Sequence, residues 1–413
     1  MKGNIVVGQS GGPTAVINSS IAGVYAQAKK LGCEHVYGMI HGIEGFLEDK
    51  LCDMDKYFSE TINIELLKRT PSAFLGSCRF KMPKIEGHED VYEKVFEIME
   101  KHDIDALFYA GGNDSMDTVK MLSDYAAAHG KKQRFMGVPK TIDNDLPITD
   151  HCPGYGSASK YIATSLKEII RDNESFGAKK PTVTIVEIMG RNAGWLTAAA
   201  ALAKGEDCSG CDAIYLPEVD FDMDKFLADT KKLGETKSSV VIAVSEGVHL
   251  SDGTYVCELA NENVAVDAFG HKQMSGTAAF LAQAVAAETG LKTRAIELST
   301  LQRAATHMAS LTDINEAFQA GSDAVQAAFD GHTGEMVIFT RDGENPYECG
   351  TATYDIHEIA NVEKKVPAEW ITADGKGLTD DYIRYARPLI MGELTPIFVD
   401  GLPRHIVMKE LFD

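Results

Sequence analysis

The sequence has few basic residues for its acidic content and contains no long apolar run. Among its 413 residues, 40 are Lys or Arg and 61 are Asp or Glu, which gives a formal net charge of −21. A nucleic-acid binder needs a basic face to neutralise phosphates, so this balance excludes that class. No stretch approaches the roughly 18 consecutive apolar residues of a membrane span. We therefore expect neither nucleic-acid nor membrane partners.

The cysteine spacing of a disulfide-stapled protein or a zinc site is also missing. The eight cysteines are scattered along the chain, and Cys208 and Cys211 form a lone C-x-x-C without a second pair. The start, Met1–Gly8, has one cation and then a three-residue apolar run, which favours a first strand over a signal peptide. These features predict reduced thiols in a cytoplasmic protein.

Short β-branched runs that lead into glycine and then a helical segment recur along the chain. The runs Asn4–Val7, Ala106–Tyr109, Thr182–Ile188 and Val240–Val244 are examples. Strands that alternate with helices predict an α/β fold with mainly parallel sheets. At roughly 150 residues per domain, the length predicts two or three domains. Two such sheets with a cleft between them fit this length.

Polar and glycine-rich loops follow the predicted strands, which is where ligands bind in open α/β sheets. The first loop, Gly8–Thr14, contains Gly11 and Gly12 and runs into a helix whose free N–H groups favour an anion. It matches neither the dinucleotide fingerprint nor a Walker loop. A phosphate loop and a glycine-rich turn that only packs a helix on a strand are both compatible with it.

The second loop, Gly111–Ser115, places side-chain oxygen atoms after two glycines. Asn113, Asp114 and Ser115 supply these oxygens. The pattern suits a phosphate together with a hard cation. Asp114 or Ser115 would equally serve as the N-cap of the following helix.

The third loop, Pro139–Asp145, carries Lys140 ahead of Asp143 and Asp145. On an extended segment alternate residues share a face, so we expect the two carboxylates to point the same way. One carboxylate would then abstract a proton while the other organises a Mg²⁺ site. A solvated turn has the same pattern.

Taken in order, these loops resemble the phosphofructokinase family, and specifically its pyrophosphate-dependent branch. The resemblance continues through Met189–Arg191, Ser245–Gly247 and Leu301–Arg303 and covers roughly the first 310 residues. It implies two Rossmann-like domains with an active-site cleft between them. We expect residues 1–150 with about 300–350 to form the larger, phosphoryl-donor domain, and residues 151–299 with about 351–413 to form the sugar-phosphate domain.

The resemblance also implies an activity and a set of site residues. The implied reaction is the reversible, Mg²⁺-dependent transfer of a phosphoryl group from pyrophosphate to the 1-hydroxyl of fructose 6-phosphate, in a homodimer or homotetramer. The implied catalytic residues are Asp143 as general base, Lys140, Thr141 and Arg79. The implied diphosphate contacts are Gly11, Gly12, Asp114, Ser115 and Lys140, and the implied metal ligands are Asn113 and Asp145. The implied sugar-phosphate contacts are Thr141, Ile142, Asp143, Met189, Gly190, Arg191, Glu246, Arg294, Thr300 and Arg303.

Two positions predict the phosphoryl donor. ATP-using members of the family have glycine where this chain has Asp114 and Lys140. A carboxylate at Asp114 repels the α-phosphate of ATP, and Lys140 offers an ammonium to pyrophosphate as charge develops on the leaving group. The alternatives are an ATP-dependent 6-phosphofructokinase and a non-catalytic regulatory paralogue. Asn113, which stands where most members have a metal-binding aspartate, is the feature that favours the paralogue.

Overall fold

Two separate β-sheets and the helices around them form the fold. The computed structural model describes residues 3–176, 181–259 and 274–411. Its strands are β1 Asn4–Gln9, β2 Val36–Met39, β3 Leu51–Asp53, β4 Ile104–Gly111, β5 Arg134–Pro139, β6 Thr182–Ile188, β7 Ala213–Tyr215, β8 Ser239–Ser245, β9 Lys292–Glu297, β10 Glu335–Glu344, β11 Tyr347–Asp355, β12 Phe398–Val399 and β13 Leu402–Pro403. Its helices are α1 Ile17–Lys30, α2 Gly42–Leu47, α3 Asp55–Phe58, α4 Thr61–Leu67, α5 Glu89–Lys101, α6 Asn113–Ala128, α7 Tyr155–Ser175, α8 Trp195–Ala198, α9 Met223–Thr236, α10 Thr277–Thr289, α11 Leu301–Ala304, α12 Leu311–Asp330 and α13 Asp380–Ala386.

The larger sheet has seven strands in the order β11-β10-β5-β4-β1-β2-β3, and the smaller has four in the order β7-β8-β6-β9. The four-stranded sheet is parallel in each of its pairs. In the seven-stranded sheet the antiparallel pairs lie at the two edges, where β3 joins β2 and β11 joins β10. The prediction of an α/β fold with mainly parallel sheets is therefore confirmed.

Both sheets are covered by helices on both faces. Along β1, Ile5 and Val7 enter one apolar cluster with α1, whereas Val6 enters another cluster on the opposite face. Along β6, Val186 and Val183 likewise separate into two clusters. A strand that is buried on both faces reads as a continuous β-branched run, which is why these strands were predictable.

Helix α12 brings the chain back to the larger sheet after the smaller one is complete. It packs against α1 at two glycines: a Cβ at Gly23 would lie 2.0 Å from the Phe318 carbonyl oxygen, and one at Gly321 would lie 2.0 Å from that of Ser20. Strands β10 and β11 follow α12 and join the larger sheet, and β11 extends to Asp355. The division into the two domains named above stays a prediction.

Three smaller features complete the description of the fold. The Ala-rich segment that follows β6 forms the short α8 and then a 3₁₀ helix, Ala199–Ala203. No disulfide joins any of the eight cysteines, all of which lie in the described ranges. Within those ranges, no helix has the length and apolar character that crossing a membrane requires.

Candidate active site

A cleft of about 390 Å³ lies where loops from both sheets meet. The loops that follow β1, β4 and β5 form one side, and the loops that follow β6 and β8 form the other. This is the carboxyl-end location that parallel α/β sheets use for ligands. The lining residues are Ser10, Gly11, Gly12, Pro13, Arg79, Gly112, Asn113, Asp114, Ser115, Lys140, Thr141, Ile142, Asp143, Asp145, Met189, Arg191, Asn192, Ala193, Glu246, Arg303 and Glu363.

Gly11 and Gly12 leave room for cationic side chains. A Cβ at Gly11, where φ is 72°, would lie 3.4 Å from Lys140 Nζ, and one at Gly12 would lie 3.0 Å from Arg303 Nη1. Lys140 Nζ donates to the Gly12 carbonyl oxygen at 2.8 Å. The loop leads into a helix as expected, but α1 begins at Ile17, so its N-terminus lies several residues beyond the two glycines. Side-chain cations therefore lie beside these glycines.

Lys140 is 3% exposed, so its ammonium is held inside the protein at the floor of the cleft. Burial lowers its pKa to about 8, and the nearby carboxylates of Asp143 and Asp145 act against that shift. Arg79 and Arg303 line the same cleft. Burial, together with Arg79, lowers the pKa of Arg303. Three cations thus converge on one region of a strongly acidic protein, as binding of phosphates requires.

The loop Thr141–Asp145 brings two carboxylates to the cleft, although not on an extended segment. Asn144 adopts φ 54°, so the chain turns between Asp143 and Asp145. The Asp143 N–H donates to Thr141 Oγ1 at 3.0 Å. Burial raises the pKa of Asp143, while Lys140 and Arg191 oppose the shift. Both acids line the cleft as predicted, but through a turn rather than through alternation along a strand.

The start of helix α6 supplies the remaining oxygens. Its N-cap is Gly112, and no side chain caps it, so the alternative that Asp114 or Ser115 serves as the cap is wrong. Asn113 Nδ2 lies 3.4 Å from Asp145 Oδ2. Asn113 Oδ1 is buried and has no hydrogen-bond partner among the described residues. Burial, followed by the charges of Asp143 and Glu363, raises the pKa of Asp145 to about 7.

The loops of the smaller sheet form the opposite side of the cleft. The Gly190 N–H donates to Glu246 Oε1 at 3.2 Å, which ties these two loops together. Gly190 has φ 143°, and a Cβ there would lie 2.8 Å from the Ala193 carbonyl oxygen. Burial raises the pKa of Glu246 to about 7. Arg191 Nε is buried without a hydrogen-bond partner in the described part of the chain.

Three of the predicted sugar-phosphate contacts are not among the lining residues: Gly190, which lies between the lining residues Met189 and Arg191, and Arg294 and Thr300, which lie outside the cleft. Arg294 is on the edge strand β9, where its Nη1 lies 3.7 Å from Asp172 Oδ2 and its guanidinium lies over the Phe176 ring. Thr300 is exposed at the start of α11. The assigned roles of all the site residues, these three included, stay predictions.

Several lining residues were not anticipated from the sequence. Ser10 and Pro13 lie within the first loop, Gly8–Thr14, but were assigned no role. Asn192 and Ala193 directly follow Met189–Arg191, so extending that motif by two residues would have included them. Glu363 is different, because it belongs to the C-terminal part of the chain that carries no motif. No sequence signal pointed to it.

A cleft between two α/β sheets that combines a buried lysine and several arginines with carboxylates is typical of a small-molecule phosphotransferase. The family model "Phosphofructokinase" matches residues 4–328, and this chain belongs to the phosphofructokinase family. It is 40% identical over 405 residues to a pyrophosphate–fructose 6-phosphate 1-phosphotransferase of Halomonas elongata, covering 97% of this chain and 95% of the relative. The similar enzyme of Methylococcus capsulatus is 39% identical over 98% of this chain and 96% of its own. A solved pyrophosphate-dependent phosphofructokinase from Nitrosospira multiformis has a TM-score of 0.88 and 38% identity, covering 98% of this chain and 96% of that one.

Proposed function

We propose that this chain transfers a phosphoryl group from pyrophosphate to the 1-hydroxyl of D-fructose 6-phosphate, giving fructose 1,6-bisphosphate and phosphate. Relatives that share about two-fifths of its residues over nearly the whole length carry that activity in their names. The observation that carries the proposal is that Asp114 and the buried Lys140 line the same cleft. The bond made and the bond broken are of similar energy, so the reaction serves glycolysis and gluconeogenesis alike.

The donor end of the cleft favours pyrophosphate for a physical reason. The exposed carboxylate of Asp114 lies at the first turn of α6 and repels any further phosphate of a longer donor. Lys140, fixed by its bond to Gly12, presents its ammonium to the leaving phosphate as negative charge develops there. Arg79 lies at the same end and holds the transferring group.

Asp143 acts as the general base. Its carboxylate accepts the proton of the sugar 1-hydroxyl while the hydroxyl oxygen forms a bond to phosphorus and the bridging P–O bond of pyrophosphate breaks. Its pKa, raised by burial, brings it closer to the operating pH, which improves a base as long as it stays ionised. Arg191, Arg303 and Glu246 hold the sugar phosphate. Most of the catalysis in phosphoryl transfer is positioning and charge stabilisation of this kind.

The residues beside Asp143 fit a magnesium ion. The buried, unpartnered amide oxygen of Asn113 and the adjacent carboxylate of Asp145 are hard oxygen donors, which Mg²⁺ prefers. We assign the metal to these two residues. When bound, Mg²⁺ neutralises charge on the pyrophosphate oxygens. The loss of the usual aspartate at Asn113 leaves Asp145 as the charged ligand.

We also propose that the protein is a cytoplasmic homodimer or homotetramer. The position of Arg294 supports the assembly: a side chain with a sugar-phosphate role that lies outside its own cleft reaches a cleft only in a second copy. Thr300 lies outside the cleft in the same way.

A coupled assay of fructose 1,6-bisphosphate formation tests the function. Fructose 6-phosphate and Mg²⁺ are supplied with either pyrophosphate or ATP. We expect turnover with pyrophosphate alone. Turnover with ATP alone would overturn the roles of Asp114 and Lys140, and no turnover with either donor would favour the regulatory paralogue.

A further inference from the structure

We infer that the Tyr385 hydroxyl, on helix α13, positions the loop Thr141–Asp145 from behind. The C-terminal segment thereby becomes part of the catalytic apparatus. This inference rests on the proposed function, which places the general base on that loop. Tyr385 does not line the cleft, so it is a positioning residue and touches neither substrate.

The loop is held at Asn144, the residue between its two acids. Asn144 is 0% exposed and adopts the left-handed backbone conformation with φ 54°. A non-glycine residue in that region costs about 1 kcal/mol or more and persists only where its surroundings hold it. Its Nδ2 donates to the Tyr385 hydroxyl at 2.8 Å, and its Oδ1 accepts the Cys152 N–H at 2.9 Å. With both ends of the amide bonded, the backbone between Asp143 and Asp145 is held in this turn.

The Tyr385 hydroxyl connects that amide to an anchored segment. It accepts from Asn144 and donates to the Asp150 carbonyl oxygen at 2.9 Å. The Asp150 carboxylate accepts from Arg341 at 3.1 and 2.8 Å and pairs with His151 Nδ1 at 2.8 Å. Although burial opposes it, these bonds hold the pKa of Asp150 below its usual range. The anchor is therefore a charged, partly buried group whose carboxylate is hydrogen-bonded to both Arg341 and His151.

The aromatic ring of Tyr385 is held independently of its hydroxyl. The rings of Trp195 and Trp370 lie 5.4 and 5.2 Å from it, centroid to centroid, and the Arg341 guanidinium lies 4.8 Å above its face. A phenylalanine at this position keeps these contacts. Tyr385→Phe therefore removes the hydroxyl link between Asn144 and the Asp150 carbonyl oxygen while leaving the packing of α13 in place.

A second tie from the same segment supports this role. The Lys364 N–H donates to the Asp145 carbonyl oxygen at 2.7 Å, and its ammonium donates to the carbonyl oxygens of Thr149 and Asp150 at 3.0 and 2.9 Å. Trp195 Nε1 in turn donates to the Lys364 carbonyl oxygen at 2.9 Å. The loop thus rests on residues that lie more than 200 positions further along the chain.

Tyr382 offers a matched control on the same helix. It lies three residues before Tyr385 and is 0% exposed. Its hydroxyl lies 2.7 Å from the Tyr155 hydroxyl and 3.3 Å from the Trp195 carbonyl oxygen, so it bonds to the protein interior and not to the loop. Tyr382→Phe removes the same atom from the same helix.

The test compares Tyr385→Phe and Tyr382→Phe in the full chain with pyrophosphate, fructose 6-phosphate and Mg²⁺. Misplacing a base costs up to about 100-fold in rate, so we expect kcat of Tyr385→Phe to fall about 10- to 100-fold with KM for fructose 6-phosphate within about twofold of the wild type. We expect Tyr382→Phe to keep the wild-type kcat, although its Tm should fall by about as much as that of Tyr385→Phe. Equal kcat values for the two variants, or a change confined to KM, would overturn the inference.

Asn144→Gly tests the same link from the loop side and carries the test alone if Tyr385→Phe does not fold. Glycine keeps the left-handed backbone but removes both amide bonds. We expect a similar fall in kcat, and the double variant to lose no more than either single one. Losses that multiply would overturn the coupling. A wild-type chain without turnover overturns the proposed function, whereas an active wild type with an unaffected Tyr385→Phe overturns only the positioning role.

Discussion

The phosphoryl-donor side and the sugar-phosphate side of the cleft differ in how many of their assigned residues line the cleft of a single copy of the chain. Every residue assigned to the diphosphate lines the cleft, with Lys140 already bonded to Gly12. On the sugar side, Arg294 and Thr300 lie outside it. The donor side is therefore complete in a single copy, whereas the sugar side requires a second copy if those two residues act as assigned.

Asp143→Asn changes the residue assigned as general base, which acts between the donor and the sugar, and should have the largest effect on kcat. The amide cannot accept the hydroxyl proton, and loss of a general base costs about 100- to 10,000-fold in kcat. The KM for fructose 6-phosphate should stay within a few fold, because the side chain remains the same size. Steady-state kinetics check this, with circular dichroism to show that the variant is folded. Turnover close to that of the wild type would remove Asp143 as the base.

Asp114→Gly combined with Lys140→Gly breaks the donor side alone. Removing a charge that stabilises the leaving group costs about 100- to 1,000-fold in rate, so kcat/KM for pyrophosphate should fall by that much. Some turnover with ATP should appear, since the carboxylate that repels a longer donor is gone. The KM for fructose 6-phosphate reports the sugar side and should change little. An unaltered preference for pyrophosphate would contradict the account of donor choice.

Arg294→Ala tests whether this arginine, which lies outside the cleft of its own copy, binds the sugar phosphate. A charged hydrogen bond contributes about 1.5–3 kcal/mol, so KM for fructose 6-phosphate should rise about 10- to 100-fold while KM for pyrophosphate stays constant. Arg171→Ala is the control, because this exposed arginine on α7 pairs with Glu174. Its kinetics should match those of the wild type.

Co-expression of Arg294→Ala with Asp143→Ala shows whether Arg294 acts in a second copy. In a random dimer mixture half of the molecules are mixed, and each would hold one intact site of two. About a quarter of the wild-type activity should therefore return. If Arg294 acts within its own copy, no site is intact, and at a fructose 6-phosphate concentration well below the raised KM the mixture keeps only the residual activity of the parent variants. Light scattering of the wild type gives the size of the assembly.

The sequence predicted the parts of the fold and site that depend on local pattern. Strand β6 was predictable at Thr182–Ile188 because both of its faces are buried, and all of its 7 residues except Glu187 are β-branched. The loops were predictable because they follow such strands. The pattern of the third loop left a solvated turn open, and it was the family resemblance that assigned Lys140 and Asp143 to the site; both line the cleft.

What the sequence did not predict depends on distant contacts. The turn at Asn144 is held by Tyr385, 241 residues away, so no local pattern indicates it. Glu363 reaches the cleft because its neighbour Lys364 is bonded to Asp145. The outward position of Arg294 follows from β9 being an edge strand, which its sequence does not distinguish from an internal one.

The smallest expected effect is a pH dependence that separates the two sides of the cleft. Burial raises the pKa of Asp145 on the donor side and of Glu246 on the sugar side to about 7. Each carboxylate is therefore charged above pH 7 and becomes neutral as pH falls through that value. Below pH 7 we expect KM for Mg²⁺–pyrophosphate to rise through Asp145 and KM for fructose 6-phosphate to rise through Glu246, each by at most about 10-fold per pH unit.

Substrate ionisation also contributes near this pH, since phosphate esters lose their second proton near pH 6. That contribution is common to every variant and cancels in the ratio of variant to wild type. For Glu246→Gln, the ratio of KM values for fructose 6-phosphate should fall as the pH falls below 7, because the amide does not titrate and only the wild-type KM rises through this residue. The ratio of KM values for pyrophosphate should not change with pH. Asp145→Asn should do the reverse. If either variant makes both KM ratios change with pH, the two carboxylates titrate as one coupled group with Asp143, whose charge raises the pKa of each. The two sides of the cleft are then not electrostatically separate.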